Sequence, residues 1–210
     1  MPLKKLYIIG ASDFGRDMES YLDLIPMKKI DWKIEGFLDD NLHAFKDFPS
    51  DYKILGTIKD FKFKKGDLAL LAISDPSKKE KVYNLLKDKV QFFTYIAPDV
   101  YIGKYTKIGK GSVICPQVFI GSNVELDTAV TINGGTKLGH DVKIGEYSSF
   151  MVNISVGGHC QFGRNVFVGS GATIIPKRKV CSYARIGAGS VVIQNIKEAK
   201  TVFGNPATLI

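Results

Sequence analysis

Residues 96–121 read IAPDVYIGKYTKIGKGSVICPQVFIG, and their period decides the fold. A large apolar residue recurs every six positions, at Ile96, Ile102, Ile108, Ile114 and Ile120. The register holds through Leu126, Ile132, Leu138, Ile144, Phe150, Val156, Phe162, Val168, Ile174, Val180 and Ile186 to Val192. Two residues before each stands a small or β-branched side chain, such as Thr106, Val118, Ser148, Cys160 and Ala172, with Arg178 the one departure. Residues two apart in a strand share a face, so both members of the pair point inward. Gly often follows the large residue, as at Gly103, Gly121, Gly139 and Gly157, where it is expected to let the chain bend at a corner. Such a repeat specifies a solenoid: three short strands and three corners close one triangular coil. Coils pair in parallel about 4.8 Å apart, so positions one coil (3 × 6 = 18 residues) apart stack.

Ahead of the repeat the pattern changes. Residues 3–10, LKKLYIIG, read as a strand that ends in a Gly-containing turn. A helix follows to about Leu24, with Phe14, Met18, Tyr21, Leu22 and Ile25 at helical spacing. Residues 33–38 read as a second strand, Tyr52–Leu55 as a short one, and residues 67–74, DLALLAIS, as a buried one. Asp75 or Ser77 caps a helix running to about Leu86, and residues 91–96, QFFTYI, form a last strand leading into the solenoid. Strand alternating with helix predicts a small Rossmann-like α/β domain with a parallel sheet over residues 1–95. A parallel β-helix follows over residues 96–210, its last coil capped by the tail after Val192, which leaves the repeat.

Composition narrows the function. The chain has 210 residues, 45% of them apolar, and no apolar run nears the roughly 18 residues of a membrane span. Its N-terminus, MPLKKLYIIGAS, reads as a first strand rather than a signal peptide. Cys115, Cys160 and Cys181 are sparse and lack metal-site spacing, as expected of reduced thiols in a cytoplasmic protein, and no ligand cluster suggests a metal. The formal net charge is +8, but lysines such as Lys104, Lys107, Lys110, Lys137 and Lys143 are scattered over corners and loops. Without aromatic–basic interleaving this argues against nucleic acid as partner and leaves anionic metabolites open.

Two constellations carry chemistry. The turn Gly10-Ala-Ser12-Asp13-Phe14-Gly15 follows a strand and opens a helix, a context that holds phosphate on backbone N–H groups. Ser12 replaces the middle glycine of the dinucleotide fingerprint, and about 95 residues are too few for two mononucleotide halves. A nucleoside diphosphate fits better than NAD, with Asp39 and Asp40 placed to accept hydrogen bonds from base or ribose. The alternative is a tight turn with solvated carboxylates. The second constellation is His140. Acyl transfer needs a general base, and His43, His140 and His159 are the three histidines. His140 sits near a corner, and Gly158, one coil later, stacks beside it, so its N–H would face an oxyanion next to the base. Spacing does not give His159 a role.

Three segments together carry a resemblance that spans nearly the whole chain. They are Ile8-Ile-Gly-Ala-Ser-Asp-Phe-Gly-Arg16 with Phe37-Leu-Asp-Asp-Asn41, then Asn133 with Leu138-Gly-His-Asp-Val-Lys-Ile-Gly145, and Val202-Phe-Gly-Asn-Pro-Ala207. The chain resembles the nucleotide-sugar N-acetyltransferases and sialic acid O-acetyltransferases of the hexapeptide-repeat superfamily. Their members acetylate amino sugars on the way to bacillosamine, or perosamine and viosamine nucleotides used for O-antigen. The resemblance implies a left-handed β-helix, a cytoplasmic homotrimer, and acetyl-CoA held between neighbouring solenoids. It implies His140 as general base, Asp141 as its acidic partner and Gly158 as oxyanion donor. Gly10, Ser12, Asp13, Phe14, Gly15, Asp39, Asp40 and Asn133 would hold the nucleotide sugar, and Gly158, Ser170, Gly171, Ala188 and Pro206 the acetyl-CoA. Asp141 stands where family members often have Glu, and Ser149 where bacillosamine-type members can have a second histidine. Adjacent strand residues face opposite ways, so pairing of Asp141 with His140 depends on the geometry of the corner. The expected function is acetyl-CoA-dependent N-acetylation of a dTDP-, UDP- or GDP-linked 4-amino-4,6-dideoxy sugar. The rivals are O-acetylation of a sugar and a non-catalytic sugar-nucleotide-binding solenoid.

Overall fold

The structure, a computed structural model, describes residues 3–26 and 30–210. The N-terminal sheet is parallel, in the order β2 (Trp32–Leu38), β1 (Lys4–Ile9), β3 (Leu68–Leu71), β4 (Gln91–Phe92). Helix α1 (Asp13–Leu22) joins β1 to β2, and α2 (Pro76–Leu86) joins β3 to β4. Phe14, Met18 and Leu22 of α1 pack with Leu6, Ile8, Leu68 and Leu70 on one face of the sheet. Leu86 of α2 packs with Tyr7, Ile9, Ala69 and Leu71 on the other. Both faces are covered, so these strands read as continuous apolar runs.

Residues 91–96 are not one strand. Gln91–Phe92 belongs to the parallel sheet, whereas Tyr95–Ile96 pairs with Val113–Ile114 in the solenoid. Tyr52–Leu55 contributes only a bridge, between Ile54 and Phe37. From Tyr95 the chain winds through two-residue strands on three faces, forming a left-handed β-helix of about six turns. Face one carries Tyr95–Ile96, Val113–Ile114, Thr131–Ile132, Ser149–Phe150, Phe167–Val168 and Arg185–Ile186. Face two carries Tyr101–Ile102, Phe119–Ile120, Lys137–Leu138, Ser155–Val156, Thr173–Ile174 and Val191–Val192. Face three carries Lys107–Ile108, Glu125–Leu126, Lys143–Ile144, Gln161–Phe162 and Lys179–Val180. Every pairing among these strands keeps the predicted 18-residue register, for example Leu138 on Val156 and Ile132 on Phe150.

The inward rows are buried from Ile114 to Val192, while Ile96 and Ile102 in the first coil stay 37% and 39% exposed. The far end is covered differently. Ile196 bridges to Val180, Thr201–Phe203 adds to face one, and Thr208–Leu209 turns back antiparallel.

The glycines after the large residues do a different job from the one expected. None of them has positive φ. A Cβ on Gly121 would lie 2.7 Å from His140 N, and one on Gly139 would lie 2.7 Å from Gly158 N, so these positions are kept bare by the next coil's backbone. The bend comes two residues later. Tyr105, Gly111, Gln117, Asn123, Ala129, Gly135, Asp141 and so on to Gly189 adopt φ between 55° and 70° at every sixth residue. Only four of these fifteen positions are Gly (111, 135, 171, 189), so most corners hold a side chain in the left-handed region.

Helix α2 joins the two parts. The side chain of Lys79 is fully buried, and its Nζ donates to Thr131 Oγ1 (2.8 Å), Ser149 Oγ (2.8 Å) and Ser148 O (3.2 Å) on face one. Glu80 accepts from Arg164 and from Asn165 Nδ2 (2.6 Å), and Tyr83 packs at 5.4 Å on Tyr147, all at the corner between faces three and one. Burial pushes the Lys79 ammonium down to about 7, against three acceptors that match its three donors.

Candidate active site

The Gly10 turn lies at the C-terminal ends of β1 and β3, where the strand order reverses direction, the position at which open parallel sheets bind ligands. A cavity of about 750 Å³ opens there, lined by Gly10, Ser12, Asp13, Phe14, Asp39, Asp40, Ser74, Asp75, Lys78 and Lys81 among others. The first turns of both helices therefore face one space. Gly10 has φ +102°, and a Cβ there would meet Ala72 O at 2.8 Å. Gly15 has no room for a Cβ against the carbonyl of Gly10; it seats the helix on the turn rather than lining the cavity.

The two aspartates hold the turn. Asp39 Oδ2 accepts from Ala11 N–H at 2.7 Å and Oδ1 from Asn41 N–H at 2.8 Å. Asp40 Oδ1 accepts from Ile58 N–H at 3.1 Å. Asp39 is thus a brace for the Gly10–Ala11 turn, and both aspartates also line the cavity. Lys78 and Lys81 supply positive charge to the cavity and are not singled out by the sequence. Their signal is helical spacing on the strand-proximal half of α2, hidden among many surface lysines.

His140 stands at the corner between faces two and three. Its column runs Ser122, His140, Gly158, and the adjacent one Asn123, Asp141, His159. Asp141 has φ +60°, which turns its side chain back to the same side as its neighbour. Its Oδ2 lies 2.6 Å from His140 Nδ1, and Oδ1 accepts from Asn123 Nδ2 at 2.6 Å. His159 Nε2 is 3.8 Å from Oδ2. The Asn123 hydrogen bond, then that of His140, hold the Asp141 carboxyl below the usual carboxylate range. An anionic Asp141 fixes the tautomer with the proton on Nδ1, leaving the Nε2 lone pair free. The ring lies against Gly158: a Cβ there would lie 2.8 Å from both Cε1 and Nε2. Gly158 N–H has no acceptor among the described residues, while the flanking Gly157 and His159 donate to Ile174 O (2.8 Å) and His140 O (2.9 Å). A base and a free N–H side by side can run acyl transfer.

The remaining expected residues lie elsewhere. Asn133, Ser170, Gly171 and Ala188 sit at the corner between faces one and two, and Pro206 in the C-terminal tail. Ser149 is buried on Lys79 and does not reach His140 within the chain. Asn123 and His159 are legible only in the stack: they lie one coil before and one coil after Asp141. His140, Asp141 and His159 also bring one ligand atom each within 4.8 Å of the others, a grouping that spacing in the sequence does not show.

A small parallel α/β unit followed by a left-handed β-helix is the left-handed β-helix acetyltransferase fold. Residues 5–86 match the family described as the PglD N-terminal domain, and the chain as a whole is similar to sugar N-acetyltransferases. It is 28% identical over 213 aligned residues to the GDP-perosamine N-acetyltransferase of Escherichia coli O157:H7, covering 95% of this chain and 93% of that protein. A serine acetyltransferase of Buchnera aphidicola is 37% identical over 105 residues, covering 46% of this chain and 37% of that protein, so the chain spans little over a third of that relative. PerB from Caulobacter crescentus, solved with CoA and GDP-perosamine, superposes with a TM-score of 0.80 at 19% identity over 98% of this chain and 97% of that one. The acetyltransferase domain of PglB from Neisseria gonorrhoeae, solved with acetyl coenzyme A, gives 0.70 at 22% identity over 99% and 100%. These likenesses show the fold.

Proposed function

We propose that this protein is an acetyl-CoA-dependent N-acetyltransferase acting on the amine of a nucleotide-linked 4-amino-4,6-dideoxy sugar. One observation carries the reading: the Asp-held imidazole of His140 packs against Gly158, whose N–H is unused. The sugar amine attacks the thioester carbonyl, and Nε2 takes its proton. The carbonyl oxygen gains negative charge and is met by Gly158 N–H, and CoA leaves as the thiol. The switch-point cavity, with two helix N-termini, Lys78 and Lys81, suits the diphosphate of the nucleotide. The relatives with CoA and GDP-perosamine bound support the substrate class.

The site needs a second copy. Within one chain, α2 docks on face one and its corner with face three, His140 stands at the corner of faces two and three, and Ser170, Gly171 and Ala188 stand at the third corner. A homotrimer with face two of each solenoid against its neighbour would bring these edges together, with acetyl-CoA between them. An apolar groove along Phe119, Leu138, Val156, Ile174 and Pro176, next to His140, is the surface for that contact. The setting is a cytoplasmic step of O-antigen-type polysaccharide assembly.

The test is acetyl-CoA with a panel of dTDP-, UDP- and GDP-linked 4-amino sugars and with sialic acid, following acetylated product. Acetylation of an amino sugar is expected. Product from sialic acid alone would replace the reading by O-acetylation, and no product from any acceptor would leave a binding solenoid.

A further inference from the structure

The stacking that brings Asn123 under Asp141 also brings a second imidazole over it. His159 follows Asp141 by one coil, and its Nε2 lies 3.8 Å from Asp141 Oδ2, the oxygen that His140 Nδ1 meets at 2.6 Å. The two rings are 4.9 Å apart at 88°. The three ligand atoms lie within 4.8 Å of one another. Two imidazoles and one carboxylate are a donor set for zinc and similar divalent transition cations, and three protein ligands leave a fourth position to water. Bonds of about 2.0–2.1 Å in a tetrahedron set donors roughly 3.4 Å apart, between the two separations seen here, so side-chain shifts of under about 1 Å suffice. Asn123 Nδ2 on Oδ1 holds the carboxylate with Oδ2 turned toward both rings. In the single chain the side chains of His140, Asp141 and His159 are 61%, 33% and 53% exposed, so none of the three has to leave the core to meet a cation.

We propose that His140, Asp141 and His159 form a binding site for a divalent transition cation of the zinc type, and that its occupancy switches off the base. The cation takes the Nδ1 lone pair of His140. A neutral imidazole bound through Nδ1 carries its one proton on Nε2, so Nε2 becomes a donor and can no longer take a proton from the amine. No oxidation state changes, and the proton moves between ring nitrogens through solvent. The binding claim stands on geometry; the inhibition claim rests on His140 as the base.

The probe is zinc ion titrated into the full, untagged, chelator-treated chain in competition with a chromophoric chelator. The wild type is expected to take up one zinc per chain. His159→Asn, which keeps a residue tolerant of positive φ, is expected to bind at least about tenfold more weakly after losing one nitrogen ligand. Acetylated sugar is followed by chromatography, because free CoA thiol itself binds zinc. Zinc is expected to suppress wild-type turnover reversibly, and to spare His159→Asn, whose zinc-free turnover matches the wild type. Equal zinc affinity in both proteins, or none in the wild type, overturns the site. Zinc bound without loss of turnover overturns the switch. Absence of acetyl transfer in zinc-free protein overturns the proposed function, while the chelator competition still decides the site.

Discussion

Asp141 reaches His140 because its backbone sits at φ +60°, a conformation that ordinary residues adopt at a cost of about 1–2 kcal/mol. In a plain strand the two would face apart. The site therefore depends on a corner, and on the Asn123 hydrogen bond that orients the carboxylate. His140→Ala is expected to cut kcat by roughly 10²–10⁴-fold, the range for losing a general base, with nucleotide-sugar affinity retained in calorimetry. Gly158→Ala tests the other half, since a Cβ would stand 2.8 Å from Nε2. Turnover should fall while the thermal midpoint moves little. Asp141 also gives a pH signature. Its folded-state pKa is depressed, so its stabilisation is present above the unfolded value and is lost as pH falls through the folded one. The gap in thermal midpoint between wild type and Asp141→Asn should close as pH drops below about 4; a constant gap would contradict the assignment.

At the scale of elements, α2 works on two sides. One side carries Lys78 and Lys81 into the cavity; the other buries Lys79 in face one. A lysine whose folded pKa is lowered from 10.5 to about 7 binds fewer protons folded than unfolded over that window. Stability should therefore rise with pH from about 7 to 10, and the rise should flatten in Lys79→Met, measured as urea midpoint against pH. The corners allow a second check. Gly189 has φ +67°, and a methyl added there would meet nothing within 4 Å, so Gly189→Ala isolates the backbone cost, about 1–2 kcal/mol. The repeat, the first three strands of the sheet and a cap at Asp75 or Ser77, which falls to Asp75, were legible in the sequence, because apolar period and capping chemistry are local. The role of the glycines was not. Six-residue spacing shows where Gly recurs, but not whether a bend or a passing coil demands it; close approach to the next backbone is a three-dimensional fact.

For the whole molecule, counting 18 residues finds Gly158 beside His140, and the same count finds Asn123 and His159 around Asp141. Those two escape any count that starts from His140 rather than from Asp141. The bracing role of Asp39 escapes the sequence for another reason: its partner, Ala11 N–H, lies 28 residues away in sequence. The separation of edges predicts complementation between chains. If the proposed homotrimer forms, His140→Ala and Ala188→Trp, each inactive alone, should regain about a quarter of wild-type activity on refolding together, from random placement around a three-fold ring. No recovery would mean that each copy works by itself.

The two ends of the β-helix are unlike: Ile96 and Ile102 remain open to water at one, and the C-terminal hairpin lies across the other. A one-dimensional stack loosens from its ends inward. Amide hydrogen exchange should thus be graded along the axis, fastest in the first coil and slowest from about residue 130 to 170. The column of His140 and Gly158 falls inside the slow zone, so fraying at the open end leaves the reacting geometry undisturbed.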